Sequence, residues 1–289
     1  MPAPLTASPQ KASCNDPEQL VGRLGEQVIG RNTTLHTPFG ERPLLYCDHT
    51  ASGRSLASIE SAIARDVLPH YANTHSEASH TGRHTGQLRE WARQTIKDVV
   101  NAGPEDALIF CGSGATGAVN TLVHLLGLKS GDTRQSDPSD EAPTRALVLI
   151  GPYEHHSNEL PWRETAADVI RIPLDPAGGI DQRALTETLR QHRNRSLVIG
   201  SFSAASNVTG IQSDVHAITQ ILKQHGALAI WDYAAGAPYL PINMNREDAP
   251  LDAVFFSPHK FIGGTASSGG LARSAAAIST AARSASRTS

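Results

Sequence analysis

Apolar residues along this chain fall into two periods. Leu56, Ile59, Ile63 and Val67 recur at three- and four-residue intervals, which predicts a helix over 56–68 stopped by Pro69. The same spacing predicts helices over 17–28, 88–100, 115–126, 182–192 and 215–225. Between them lie short continuous apolar runs at 107–111, 146–151, 169–173, 197–203, 227–231 and 253–257, together with a run at 44–47. Runs of this length without alternation read as strands buried on both faces. Strands of that kind, alternating with amphipathic helices, predict a three-layer α/β/α domain around a mainly parallel sheet. A histidine-rich stretch, 71–86, and a polar stretch, 129–143, read as loops.

This pattern divides the chain in three. Residues 1–43 are polar and dotted with proline, and form an N-terminal arm. Residues 44–264 carry the alternation and form one large domain. After Gly264 the apolar periodicity stops: residues 265–289 contain eight Ala, seven Ser and no acid. That stretch reads as a disordered or out-of-frame tail, because Leu271 and Ile278 alone cannot offset the entropy of ordering it.

Composition narrows the classes. A net charge of −3 gives no reason to expect nucleic acid. No apolar run approaches the ~18 residues of a membrane helix, and the first residues lack a leader pattern. Cys14, Cys47 and Cys111 have unrelated spacings, which suit neither a disulfide framework nor a zinc site. A cytoplasmic protein is the expectation.

Candidate chemistry sits at the strand ends. Gly112-Ser113-Gly114-Ala115-Thr116-Gly117 follows a strand and opens a helix, so its N–H groups and hydroxyls suit a phosphate. The same glycines fit G-x-G-x-x-G, which keeps a nicotinamide-dependent dehydrogenase open. The acidic residue expected about 20 positions on would fall in the polar stretch, where no strand is predicted. Asp232 ends one strand and Lys260 follows another, and parallel strands bring both to the carboxyl edge of the sheet. A lysine for a Schiff base, a carboxylate for a pyridinium nitrogen and an anion cradle are the parts pyridoxal 5′-phosphate requires.

With these blocks in order, the chain resembles the class V (cysteine desulfurase-like) aminotransferases of fold type I. The resemblance runs over about 41–264. It is carried by Tyr46–Ser52, Gly112–Asn120, Glu154-His155-His156-Ser157-Asn158 with Pro161-Trp162, Ser206-Asn207-Val208-Thr209-Gly210, Trp231-Asp232 and Ser257-Pro258-His259-Lys260. It implies that Lys260 holds the cofactor aldehyde, Asp232 pairs with the ring nitrogen, and His155 stacks on the ring and moves protons. Asn207 would reach the ring hydroxyl, and Ala115 (through its N–H), Thr116, Ser257 and His259 would bind phosphate. It also implies an amino-acid substrate and a homodimer.

Departures are equally visible. Ala235 stands where desulfurases commonly carry a glutamine, and no cysteine follows Cys111 to act as their mobile sulfur acceptor. The family's small C-terminal domain is expected to be missing after Gly264, as in a truncated member. A metal at the His75–His84 stretch has no matching second shell and is not expected. The expectation is therefore a pyridoxal phosphate enzyme acting on an amino acid. The alternatives are a truncated paralogue that keeps the cofactor fold without turnover and, less favoured, the dehydrogenase.

Overall fold

The computed structural model describes residues 16–128, 145–275 and 277. The polar stretch 129–143 and the end of the tail, apart from residue 277, lie outside the described residues, as does the start of the arm.

The described part of the arm starts with α1 (Pro17–Gln27), where Asp16 caps the helix by accepting from the Glu18 N–H. A hairpin follows, β1 (Thr34–Thr37) and β2 (Gly40–Pro43), antiparallel and almost wholly exposed. The strand expected at 44–47 is not formed, and extended chain leads from the hairpin toward the domain. The helix expected over 56–68 is shorter and irregular. It is α2 (Ala57–Ala62), then a π-helical turn at Ile63–Val67 and a 3-10 turn at Leu68–His70. Pro69, which has no N–H to donate, sits in that last turn.

The histidine-rich stretch is also only half loop. Helix α3 runs over His80–Val99, because Ser79 accepts from the Gly82 N–H at 3.0 Å and starts it there. Gly82 is required at that start, since a Cβ would meet the Ser76 carbonyl oxygen at 2.1 Å.

The remaining elements alternate: β3 (Ala107–Cys111), α4 (Gly114–Leu125), β4 (Leu147–Ile150), α5 (His156–Arg163), β5 (Asp168–Arg171), α6 (Gln182–Gln191), β6 (Val198–Ser203), α7 (Val215–Gln224), β7 (Leu228–Asp232), β8 (Ala253–Phe256) and β9 (Gly269–Arg273). The seven strands form one sheet in the order β3-β9-β8-β7-β6-β4-β5. Neighbours from β8 to β5 are all parallel. β9 is antiparallel to both β8 and β3, so β3 points the same way as the parallel set.

Both faces are covered. Leu147 and Leu149 pack with Leu185 and Leu189 of α6 and Ile218 and Leu222 of α7. Val148 and Ile150, alternating with them, pack on the opposite side with Val119 and Leu122 of α4 and with Trp162 of α5. This is the expected three-layer α/β/α architecture with a mainly parallel sheet. Among the described residues no helix is long and apolar enough to cross a membrane.

The largest correction concerns the tail. Residues 269–273, expected to be unstructured, are a buried strand inside the sheet, and Leu271 is 0% exposed. Two glycines hid it from a hydrophobic pattern, and packing demands them. A Cβ at Gly269 would lie 2.0 Å from the Gly114 carbonyl oxygen, and one at Gly270 would lie 2.3 Å from the Phe256 ring. Helix α5 was also unforeseen. Pro161 breaks its pattern, and its cap is an imidazole: His155 Nδ1 accepts from the Ser157 N–H at 3.1 Å.

Candidate active site

Six of the seven strands point one way, so their carboxyl ends share one edge. There the chain must leave each strand and turn, exposing backbone groups and side chains that the sheet does not use. The turns after β3, β4, β6, β7 and β8, with the 48–51 segment of the extended chain, enclose a cavity of about 310 Å³. Lys260, Asp232, His155, Asn207, Ala115, Thr116, Ser257 and His259 all line it. The eight residues singled out in the sequence are thus brought to one place.

The turn after β3 is shaped for an anion. Gly114 adopts φ +59°, and a Cβ there would lie 2.8 Å from His259 Cε1 and 3.1 Å from Ser257 Oγ. Only glycine lets the helix start this close to the lysine segment. Ser113 occupies the cap position of α4 yet makes no side-chain cap bond, whereas Asp181 and Asp214 cap α6 and α7. One N–H of that first turn, Ala115, donates to Ser257 Oγ at 2.9 Å. The helix end therefore offers partial positive charge and uncapped donors to the cavity.

Asp232 is 4% exposed, and its carboxylate accepts from the Ala234 N–H at 2.7 Å. Burial pushes its pKa up, while that N–H bond and the charges of Lys260 and His155 pull it back. Burial pushes the Lys260 amine down, against the opposing pull of Asp232 and Asp48. His259 is held low by burial and by the neighbouring Lys260 charge. A lysine depressed in this way has more free amine at neutral pH and is a better nucleophile.

Asp48, which the sequence reading left without a role, also lines the cavity. It is reached only because the 48–55 segment folds across the lysine turn, with Gly53 N–H donating to the His259 carbonyl at 2.9 Å. His155 keeps one nitrogen engaged, since Nδ1 accepts from the Ser157 N–H at 3.1 Å, with Ser157 Oγ 2.8 Å away. Its neutral ring therefore carries the proton on Nε2.

A buried carboxylate, a depressed lysine and an uncapped helix end, all opening on one cavity, fit pyridoxal 5′-phosphate. Its pyridine nitrogen, aldehyde and phosphate call for those three groups. Among the described residues no group of three His, Cys, Asp or Glu is placed to hold a metal ion.

Comparisons with known proteins agree with this geometry. The Aminotransferase class-V profile matches residues 45–266. A probable cysteine desulfurase of Streptomyces coelicolor is 27% identical over 253 residues, covering 86% of this chain and 57% of that protein. One from Halalkalibacterium halodurans is 30% identical over 233 residues, covering 77% of this chain and 52% of its own length.

Among solved structures, a NifS-like protein from Rickettsia africae aligns with a TM-score of 0.66 at 24% identity, covering 80% of this chain and 58% of that one. The apo cysteine desulfurase of Thermococcus onnurineus aligns at 0.62 and 21% identity, covering 80% and 53%. Both show the fold. The chain spans about half the length of the curated relatives it matches. With the profile covering most of the chain, the chain belongs to the class-V aminotransferase family, whose cofactor is pyridoxal 5′-phosphate.

Proposed function

We propose that this chain binds pyridoxal 5′-phosphate in the strand-end cavity and uses it to transform an amino acid. The observation that carries the reading is the convergence of Lys260, Asp232 and the uncapped start of α4 on one cavity. When bound, the cofactor supplies an electron sink for charge developing at the α-carbon of an amino acid. The chain's own residues do the rest.

Lys260 would hold the aldehyde through its amine. Asp232 would keep the ring nitrogen protonated. Ala115 N–H, Thr116, Ser257 and His259 would hold the phosphate at the helix end, and Asn207 would donate toward the ring hydroxyl oxygen. His155, with its Nδ1 tied to Ser157, would face the ring and would give or take a proton at Nε2. The reading includes a cytoplasmic homodimer without nucleic-acid or membrane partners, which sedimentation and cell fractionation test.

The reaction branch is set by groups around the cavity. Ala235, which lines it, offers no side-chain donor where desulfurases commonly have a glutamine. That difference favours transamination, elimination or epimerisation over desulfuration.

The test is reconstitution of the full chain with pyridoxal phosphate, followed by absorbance and borohydride reduction. A visible band, bleached by borohydride with the label mapped to Lys260, is expected. Label at any other lysine overturns the assignment. Turnover with a panel of amino acids then separates an enzyme from a fold that only retains the cofactor.

A further inference from the structure

Glu154 precedes His155 and has no part in the chemistry above. The residue keeps some exposure, but its carboxyl is turned into the protein, where every contact is specific. Oε1 accepts from the Ser203 N–H at 2.8 Å, and Oε2 accepts from Ser203 Oγ at 2.6 Å and from Asn158 Nδ2 at 2.7 Å.

The socket is built around it. A Cβ at Gly151 would stand 2.4 Å from Oε1, so the carboxyl folds back on the start of its own turn. Asn158, 0% exposed, accepts in turn from Ser201 Oγ at 2.7 Å, and the Trp162 indole N–H donates to that same hydroxyl at 3.1 Å. One carboxyl thus joins the β4 turn, the end of β6 and the first turn of α5.

Its position relative to the cavity gives the arrangement a consequence. Ser203 lines the cavity and is the register partner of Asp232 at the end of β7. Burial pushes the Glu154 carboxyl up to about 7 against the pull of its donors, and the charge of Asp232 adds to the rise. The titratable groups around it are Asp232 from β7 and, on its own turn, Tyr153, whose phenol is bonded to Ser213, and His155. Ser203 and Asn158 are neutral. A hydroxyl between a carboxyl and a cavity can accept a proton on one side and donate on the other.

We propose that Glu154 is a positioning and proton-holding residue of this site, clamping the His155 turn to the end of β6 and exchanging one proton with solvent in the cavity through Ser203 Oγ, so that its charge follows that of the Asp232 site. This rests on the cofactor reading above and adds a residue to it. The sign follows from electrostatics. A protonated ring nitrogen beside Asp232 brings positive charge near a carboxyl already out of water, so it favours ionised Glu154. The cofactor-free chain then holds more protons than the loaded one, and affinity rises with pH through neutrality. The gain is about tenfold for each unit by which the carboxyl's pKa falls.

The experiment uses the full chain. Pyridoxal phosphate is titrated against tryptophan fluorescence from pH 6 to pH 8.5, and the protonated-carboxyl infrared stretch of the cofactor-free chain is followed over the same range. Wild type is expected to show a carboxyl band lost with a midpoint near neutrality. Glu154→Gln should lack that band and show a flatter rise of affinity with pH. Ser203→Ala, which removes one donor from Oε2, should move the midpoint upward and serves if the glutamine variant fails to fold.

Retention of the band or of the full wild-type slope in Glu154→Gln, or an unmoved midpoint in Ser203→Ala, overturns the proposal. Wild type that binds no pyridoxal phosphate at any pH overturns the cofactor reading instead, and the infrared result still decides whether Glu154 holds the proton.

Discussion

Leu271→Ala tests whether the chain after Gly264 is part of the sheet. Leu271 pairs with Ile109 of β3 and Phe255 of β8, is 0% exposed, and packs in the layer that contains Val119 and Leu122 of α4. A leucine truncated in a closed core loses about 2–5 kcal/mol, the spread reflecting how far the site collapses. Here strands on both sides and a helix above hold the walls apart, so we expect about 3–4 kcal/mol. With a urea slope of roughly 3 kcal/mol per molar, the unfolding midpoint should fall by about 1 M, read by circular dichroism on the full chain. Val208→Ala, at a side chain 84% exposed, is the control and should change stability by less than about 0.5 kcal/mol. A Leu271→Ala shift no larger than the control's would refute the strand and restore the reading of an unstructured tail.

Other outcomes follow from the site. Gly269→Ala places a methyl 2.0 Å from the Gly114 carbonyl oxygen and should displace the start of α4, weakening pyridoxal phosphate binding about tenfold or more, a loss of ~1.4 kcal/mol, in a fluorescence titration. Lys260→Ala should abolish the borohydride-reducible visible band while the far-ultraviolet spectrum stays native. Asp48→Asn removes one of the two charges that hold the Lys260 amine up, so the pH profile of borohydride trapping should move to lower pH. Stability should also report Glu154. Its folded pKa lies above its unfolded value, so the folded state binds the extra proton and stability falls as pH rises from about 4.5 to about 7. The wild-type chain should lose on the order of 3 kcal/mol relative to Glu154→Gln across that window in paired urea titrations, and equal slopes would show that the carboxyl does not titrate there.

The parallel sheet and its ligand edge were legible because each depends on local pattern. Val148 and Ile150 face one layer while Leu147 and Leu149 face the other, so a strand buried on both sides spells itself as an unbroken apolar run. The site residues stand at the ends of such runs, where a motif and a strand end coincide. What escaped notice lacked a local signature. The β1–β2 hairpin is exposed on nearly every position, so no alternation marks it. β9 begins with two glycines chosen for close approach rather than burial. The bond between Glu154 and Ser203 spans 49 residues, and its meaning depends on β4 and β6 being neighbours in the sheet. Nothing in the Glu154-His155-His156 string announces that the carboxyl of its first member is turned into the protein and that its second member caps a helix.

The cofactor cavity owes its lysine geometry to residues far from the lysine. Lys260 lies in a 3-10 turn, an element too short to hold its own position. Two segments hold it. From the arm side, Gly53 N–H donates to the His259 carbonyl, Gly263 N–H donates to the Arg54 carbonyl at 2.7 Å, and Ser55 Oγ donates to Thr265 Oγ1 at 2.7 Å. The contact is so close that a Cβ on Gly53 would stand 1.9 Å from the Phe261 carbonyl oxygen. From the tail side, Gly269 N–H donates to the Gly112 carbonyl at 3.0 Å and its bare Cα lies against Gly114, fixing the glycine turn after β3 relative to the strand that follows the lysine. The glycines at 53, 114 and 269 therefore act together. Each removes a side chain where one backbone must approach another, and together they let the lysine turn, the helix start and the returning strand pack against one another. A chain ending at Gly264 would keep every residue of the motif and lose the strand that locks the glycine turn after β3 against it.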